Sequence, residues 1–376
     1  MSVKNRALFI DLLKGLALIV MIEVHVFNAL LNPALKSSWL FDGMNFINGL
    51  VAPSFSFASG LVFVLSLQKG IEQLRTFGKE FWRKMSRIGL IFFVGYTLHL
   101  PYFSFSKLLH NQTQPVLESL YTVDILQLIS TGLLVLLFAR ILIKSENGFY
   151  NFSLVATVIV LIISPLIWKV DFSNYMPLFL SNYFNTMHGS LFPIFPWWAF
   201  IFSGAFVAKY YLRAKQNNME NVFAGKLIIT GALMCLGGVV FMYIVLPILD
   251  IGILPNPFFF LERFGIILFL LGSFWFYLHK KENYKSLILD VSRESLLIYW
   301  LHLQLIYPEI FQGKSLIQIS QQKYNFGECF LVTIALIVLM LVVAKVWGIL
   351  KSKYPTYCRW ITVSVLCIGT IIFILR

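Results

Sequence analysis

The sequence predicts an all-α, polytopic integral membrane protein with about ten or eleven transmembrane helices and a cytoplasmic N-terminus. Three observations predict it. Of 376 residues, 59% are hydrophobic and only 12% charged, with a mean hydropathy of +0.79; a soluble domain carries about 25% charged residues. Backbone polar groups in lipid must be satisfied within the chain, which leaves helices as the economical solution. Thirty-seven Phe and nine Trp suit a lipid-facing surface with aromatic belts.

A crossing needs roughly 20 apolar residues. Apolar runs bounded by polar loops place eleven spans, at residues 7–31, 46–67, 86–106, 121–143, 151–168, 194–212, 225–248, 258–279, 286–308, 327–349 and 359–376. There is no internal repeat and no low-complexity linker, so residues 1–376 read as a single domain. The first run follows the short basic stretch "MSVKNR" and is too long and too charged for a signal peptide, so it reads as a retained span.

The loops alternate in charge. "MSVKNR", "QKGIEQLRTFGKEFWRKMSR", "ARILIKSENG", "AKYYLRAKQNN", "HKKENYK" and "KSKYPTYCR" hold most of the Lys and Arg, and they fall on one side. By the positive-inside rule that side is cytoplasmic, the N-terminus is in and the C-terminus is out. The net charge of +13 is therefore a topology signal with anionic lipid headgroups as its ordinary partner, not a sign of nucleic acid. This orientation sets His25, His99 and His302 near outer ends of spans, His110 and His188 in outer loops, and His279 on the cytoplasmic side. The four cysteines show neither metal-type spacing nor a disulfide framework. His-x-x-x-His and Glu-x-x-His spacings are absent, so no metal is expected.

The first span, "FIDLLKGLALIVMIEVHVFNALL", carries Asp11, Lys14, Glu23 and His25. Each ionisable group costs roughly 2.5–3.5 kcal/mol near a helix centre on insertion scales, and such groups default to functional roles. Helix geometry returns Lys14 and His25 to within about 20° of each other, and Asp11 and His25 to within about 40°, with about 21 Å of axis between the last two. One stripe thus carries a polar mouth at each end of the helix. Asp11 and Lys14 also fit a simple i,i+3 pair with Lys14 snorkelling. Glu23 points the other way and is expected to pair with an Arg such as Arg263 or Arg293.

"RALFIDLLKGLALIVMIEVH" resembles the opening of the transmembrane acyltransferase superfamily, and most closely its heparan-α-glucosaminide N-acetyltransferase catalytic-domain branch. Four later stretches are similar to that branch in order: "LVAPSFSFASGLVFVLSLQKG", "RKMSRIGLIFFVGYTLH", "FPIFPWWAFIFSGAFVAKYY" and "RESLLIYWLHLQLIY". Two departures stand out: Lys14 replaces the usual Arg before Gly15, and His25 stands where the heparan enzyme has Asn. The resemblance implies transfer of an acetyl or other short acyl group from cytoplasmic acyl-CoA to a hydroxyl or amine of an extracytoplasmic sugar or glycan. It implies acyl-CoA, a saccharide acceptor and membrane lipids as partners, a bacterial cytoplasmic membrane as the setting, and a homodimer as one assembly.

Under that resemblance His25 and His302 become the catalytic candidates, since an imidazole titrates near neutrality and serves as a general base or acyl carrier. Direct transfer and an acyl-histidine intermediate both stay open. Lys14, Arg83, Lys84 and Arg87 become candidates for the CoA phosphates, with Arg6 beside them; a basic cytoplasmic loop is also what topology alone requires. Asp11, Asp124, Gln127, Ser295 and Trp197 become candidates for the substrate. Asp124 equally suits a helix cap, Trp197 and Trp198 an interfacial belt, and His302 a hydrogen-bonded packing residue. A transporter or flippase is the alternative class; its expected marks, two equivalent halves and matched broken helices, are not found in the sequence.

Overall fold

In the computed structural model, residues 7–68, 70–100, 104–281, 284–308, 311 and 314–375 are described. Arg6 lies outside them. In chain order the helices are α1 (Leu8–Leu30), α2 (Trp39–Asn48), α3 (Val51–Leu67), α4 (Ile71–Arg75), α5 (Lys79–Thr97), α6 (Phe105–His110), α7 (Gln114–Leu120), α8 (Ile125–Leu142), α9 (Glu146–Ile167) and α10 (Leu178–Ser181). Then follow α11 (Ile194–Gln216), α12 (Glu220–Val240), a π-helical turn (Phe241–Val245), α13 (Leu246–Ile248), α14 (Pro257–His279), α15 (Leu287–Arg293), α16 (Ser295–Ile306), α17 (Leu316–Ser320), α18 (Phe326–Lys353) and α19 (Pro355–Leu375). No strand is found among the described residues, and seven helical stretches there are long and apolar enough to cross a membrane. The protein is an all-α polytopic membrane protein.

Each of the eleven expected spans coincides with helix. Two differ in form. The third begins in the basic stretch, at Lys79, and stops at Thr97, shortly before Pro101, whose ring disfavours helix in the residue preceding it. The ninth breaks at Glu294 (φ −103°, ψ 28°). Its flanking charges are drawn outward there: Arg293 pairs with Asp290 at 3.1 Å and Glu294 with Lys351 at 3.0 Å.

The chain forms two compact units. One comprises the described residues of 1–51, 102–110 and 281–376. Here α1 packs on α15, α16 and α18. The approach to α15 is so close that a Cβ on Gly15 would strike the carbonyl oxygen of Ile288. At the far end of α1 the chain is pinned by backbone pairing: Asn32 N–H donates to Tyr324 O at 2.9 Å, and Tyr324 N–H donates to Leu30 O at 3.3 Å. Ion pairs tie α18 to the broken helix, Lys345 to Asp290 at 3.3 Å and Lys351 to Glu294. Glu23 does not find an arginine. The Asn48 amide, oriented to satisfy both groups, donates to Glu23 Oε2 at 2.7 Å.

The other unit holds the described residues of 52–101 and 111–280. Small residues let its helices touch backbone to backbone, the usual packing device in lipid. A Cβ on Gly60 of α3 would strike Ile201 O of α11, and one on Gly204 of α11 would strike Phe57 O of α3. Gly231, Gly238, Gly265 and Gly272 do the same for α12 and α14. Beside that contact lies a buried ion pair, Glu262 and Arg263, with Nε 3.5 Å from Oε2.

Candidate active site

The first unit gathers two imidazoles and a phenol. His25 sits near the end of α1, and the centre of its ring is 5.3 Å from that of His302 on α16, with 52° between the ring planes. His25 Nδ1 lies 3.1 Å from Tyr307 Oη, and the two rings meet edge to face. His302 is fully buried. Its Nδ1 lies 2.8 Å from Ile298 O, a carbonyl that can only accept, so Nδ1 carries the proton. In the neutral ring that leaves Nε2 as the basic nitrogen, and the backbone bond fixes the orientation of the ring. Tyr299 braces the same ring edge to face at 5.8 Å. The sequence places these groups by helical spacing. Ile298, Tyr299, His302, Leu303 and Ile306 share the buried face of α16, so the polar ring is carried inward by its apolar neighbours.

At the opposite end of α1, Asp11 is buried, at 6% exposure, and Ser292 Oγ of α15 donates to its Oδ1 at 3.5 Å. Lys14 is half-buried. Between the two ends, Leu18, Met21 and Ile22 are buried. The stripe expected from the spacing therefore faces the interior of its unit, with polar groups at its ends and packed apolar side chains between. Ser295 opens α16, half-buried, seven residues before His302 and on the same face.

In the second unit, the candidates for the donor sit on α5. Arg83 is exposed and pairs with Glu80 one turn back, and Arg87 is exposed. Lys84 instead donates to Ser66 O at 3.1 Å and to Ser66 Oγ at 2.6 Å. It ties α5 to the last turn of α3, where a cation suits the helix dipole. Asp124 and Gln127 form a capping box on α8: the Asp124 side chain accepts from Ile125 N–H at 2.6 Å, and Gln127 Oε1 accepts from Asp124 N–H at 3.3 Å. His99 Nε2 lies 3.2 Å from the other Asp124 oxygen. Trp197 stands in an aromatic group with Phe192, Phe200 and Phe259, its ring centre 4.9 Å from that of Phe192. Trp198 Nε1 donates to Leu128 O at 3.2 Å.

Outside the spans, His188 Nε2 lies 3.0 Å from Asp171 Oδ1, and its Nδ1 lies 3.5 Å from Glu118 Oε1. Asp171 is held down to about 2, chiefly by the hydrogen bond from His188, and His188 is raised above its usual value, chiefly by that same bond. Among the described residues no group of three or more His, Cys, Asp or Glu is placed to hold a metal ion.

Tyr307 and Ser292 escaped the reading of the sequence, which placed His99 near the outer end of a span without giving it a partner. Tyr307 lies five residues after His302, about 140° around the helix, so counting faces separates the two. It meets His25 from the C-terminal end of α16, where the helix no longer sets the direction of the side chain.

An all-helical membrane bundle with paired imidazoles buried at one end of a polar-ended helix belongs to the class of integral membrane proteins with a titratable site inside the bundle. The family described as Heparan-alpha-glucosaminide N-acetyltransferase, catalytic, matches residues 6–246. The chain belongs to that family, and it is a membrane acetyltransferase in that general sense. No curated protein matches the chain.

Proposed function

We propose that the chain moves an acetyl group from cytoplasmic acetyl-CoA to a hydroxyl or amine of a sugar on the far side of a bacterial cytoplasmic membrane. The observation that supports this reading best is the contact of His25 with His302 and Tyr307. In the tautomer whose Nδ1–H donates to Tyr307, His25 Nε2 is the general base. It takes the proton as the acceptor oxygen or nitrogen attacks the thioester carbonyl. The carbon–sulfur bond breaks, and the CoA thiolate leaves and recovers the proton from His25. His302, fixed by Ile298 O and buried, braces His25 from the side and orients its ring. The phosphates of CoA suit the exposed guanidinium groups of Arg83 and Arg87. In the first unit, Lys14, Asp11 and Ser295 line the polar ends of the buried stripe. In the second unit, Trp197 offers an aromatic face of the kind on which a sugar ring stacks, and Lys84, Asp124 and Gln127 hold α5 and α8 in place.

The test is acetyl transfer in proteoliposomes loaded with acetyl-CoA and offered a panel of amino sugars and glycans outside. Removing a general base costs about 10²–10⁴ in rate. His25→Ala is expected to lose at least that much while inserting and purifying normally. Undiminished turnover in this variant would refute the assignment.

A further inference from the structure

The second unit holds a group of cations separate from Arg83 and Arg87, the pair proposed above for the donor. Four helices supply its members: Arg75 from α4, Arg140 from the last turn of α8, Glu146, Asn147 and Tyr150 from α9, and Lys209 and Arg213 from α11. Arg140 is 5% exposed. Its guanidinium carries five N–H donors. Its hydrogen bonds run to Ile143 O and Glu146 Oε1, both at 3.4 Å, the long limit for such bonds. Arg75 Nη2 donates to Lys144 O at 3.1 Å, while its Nε is buried without a hydrogen-bond partner among the described residues. Arg213 Nη2 donates to Asn147 Oδ1 at 3.0 Å, and Lys209 Nζ lies 5.8 Å from the Tyr150 ring centre. Arg75 and Arg140 thus donate to two consecutive carbonyls, Lys144 O and Ile143 O, which brings their guanidinium groups to one turn of the chain. The carboxylate in ion-pair contact with Arg140 is Glu146, whose side chain is 65% exposed.

Burying a guanidinium is costly unless its charge and its donors are met. The last carbonyls of α8 offset part of the charge, as helix ends do. They leave a set of Arg donors around residues 143–147, on helices, with more positive charge than local carboxylate. That is the chemistry of phosphate recognition, where the planar fork of Arg binds two oxygens at once. The sequence puts these residues in its basic loops, on the cytoplasmic side by the charge rule.

We infer that Arg75, Arg140 and Arg213, walled by Tyr150, form a binding site for a phosphate group. Two sources present that chemistry there: the headgroup of an anionic phospholipid, and the nucleotide end of the acyl donor. The nucleotide source rests on the acetyl-CoA reading above; the lipid source does not.

The experiment uses the full chain and two probes. Calorimetry with adenosine 3′,5′-bisphosphate in neutral detergent reads the nucleotide. Native mass spectrometry after release from nanodiscs of phosphatidylglycerol and phosphatidylethanolamine reads retained lipid. The variants are Arg140→Gln and, because a buried site tolerates change poorly, the exposed Arg213→Gln. One lost charge-assisted contact weakens binding about tenfold. A tenfold rise in the Kd of the bisphosphate in either folded variant assigns the site to the nucleotide. Loss of retained phosphatidylglycerol with nucleotide affinity unchanged assigns it to lipid. If folded variants keep both properties of the wild type, the site does not exist, and acetyl transfer by the wild type would still uphold the reading of the donor. If the wild type neither binds the bisphosphate nor transfers acetyl from acetyl-CoA, that reading fails, and the lipid measurement alone decides the site.

Discussion

At the scale of single residues, the side chains divide by what holds them. His302 is locked by Ile298 O and packed on all sides, whereas His25 is half-buried and reached by the 42%-exposed Tyr307. The general base proposed for His25 needs that access to meet a diffusing acceptor, and Tyr307 is the hydroxyl in contact with its Nδ1. Tyr307→Phe is therefore expected to lower kcat about tenfold with little change in the KM for acetyl-CoA, and to shift the pH profile of kcat. A raised KM with kcat and pH profile intact would make Tyr307 a binding residue instead. Asp124 shows the opposite case. Its sequence allowed both a substrate contact and a helix cap, and in the structure it caps α8 with Gln127 while His99 meets its other oxygen. The identity of these residues was legible in the sequence; their partners were not, because a hydrogen bond depends on ångström distances between segments far apart in the chain.

At the scale of elements, the helices meet where glycines remove the side chain. Gly60 and Gly204 form a reciprocal contact, each facing a carbonyl of the other helix. A methyl group there must push two backbones apart, and overpacking of this kind costs roughly 1–3 kcal/mol. Gly204→Ala is expected to lower the Tm of the detergent-solubilised protein clearly. Gly225→Ala, where an added Cβ meets nothing within 4 Å, should leave it unchanged or raise it slightly. Equal melting of the two variants would remove the close approach from the account of stability. The existence of eleven helical segments could be read from apolar length, since lipid imposes one solution on any long apolar run. The break at Glu294 could not; the ion pairs beside it, from Asp290 and Glu294 to lysines of α18, form only after folding.

At the scale of the whole molecule, charge and pH act on the loops. His188 bridges Asp171 and Glu118 and so joins its own loop to the 3₁₀ turn opened by Asp171 and to the short helix α7 of the second unit. The folded His188 titrates above its usual value of 6.5, so its stabilising effect is complete below that pH and fades as the pH rises through the folded value. Asp171, at about 2 when folded against 3.8, stabilises above 3.8 and loses the effect as the pH falls toward 2. The bridge is thus strongest from about pH 4 to about pH 6.5. Limited proteolysis within residues 170–190 should speed up from pH 6 to pH 9 more in the wild type than in His188→Gln. A parallel rise in both would show that the bridge does not hold these loops.

The sequence by itself determined the membrane class, the all-helical architecture, the order of the apolar segments and the inward stripe of α1. Hydropathy, loop charge and the period of the helix are local properties, and local properties survive without knowledge of what a segment will touch. Only the tertiary structure decided that His25 meets His302 and Tyr307, that Lys84 and Asp124 brace helices, and that Arg75, Arg140 and Arg213 all bond to residues 143–147. These depend on how separate helices pack, and packing is settled by the fit of surfaces from distant parts of the chain.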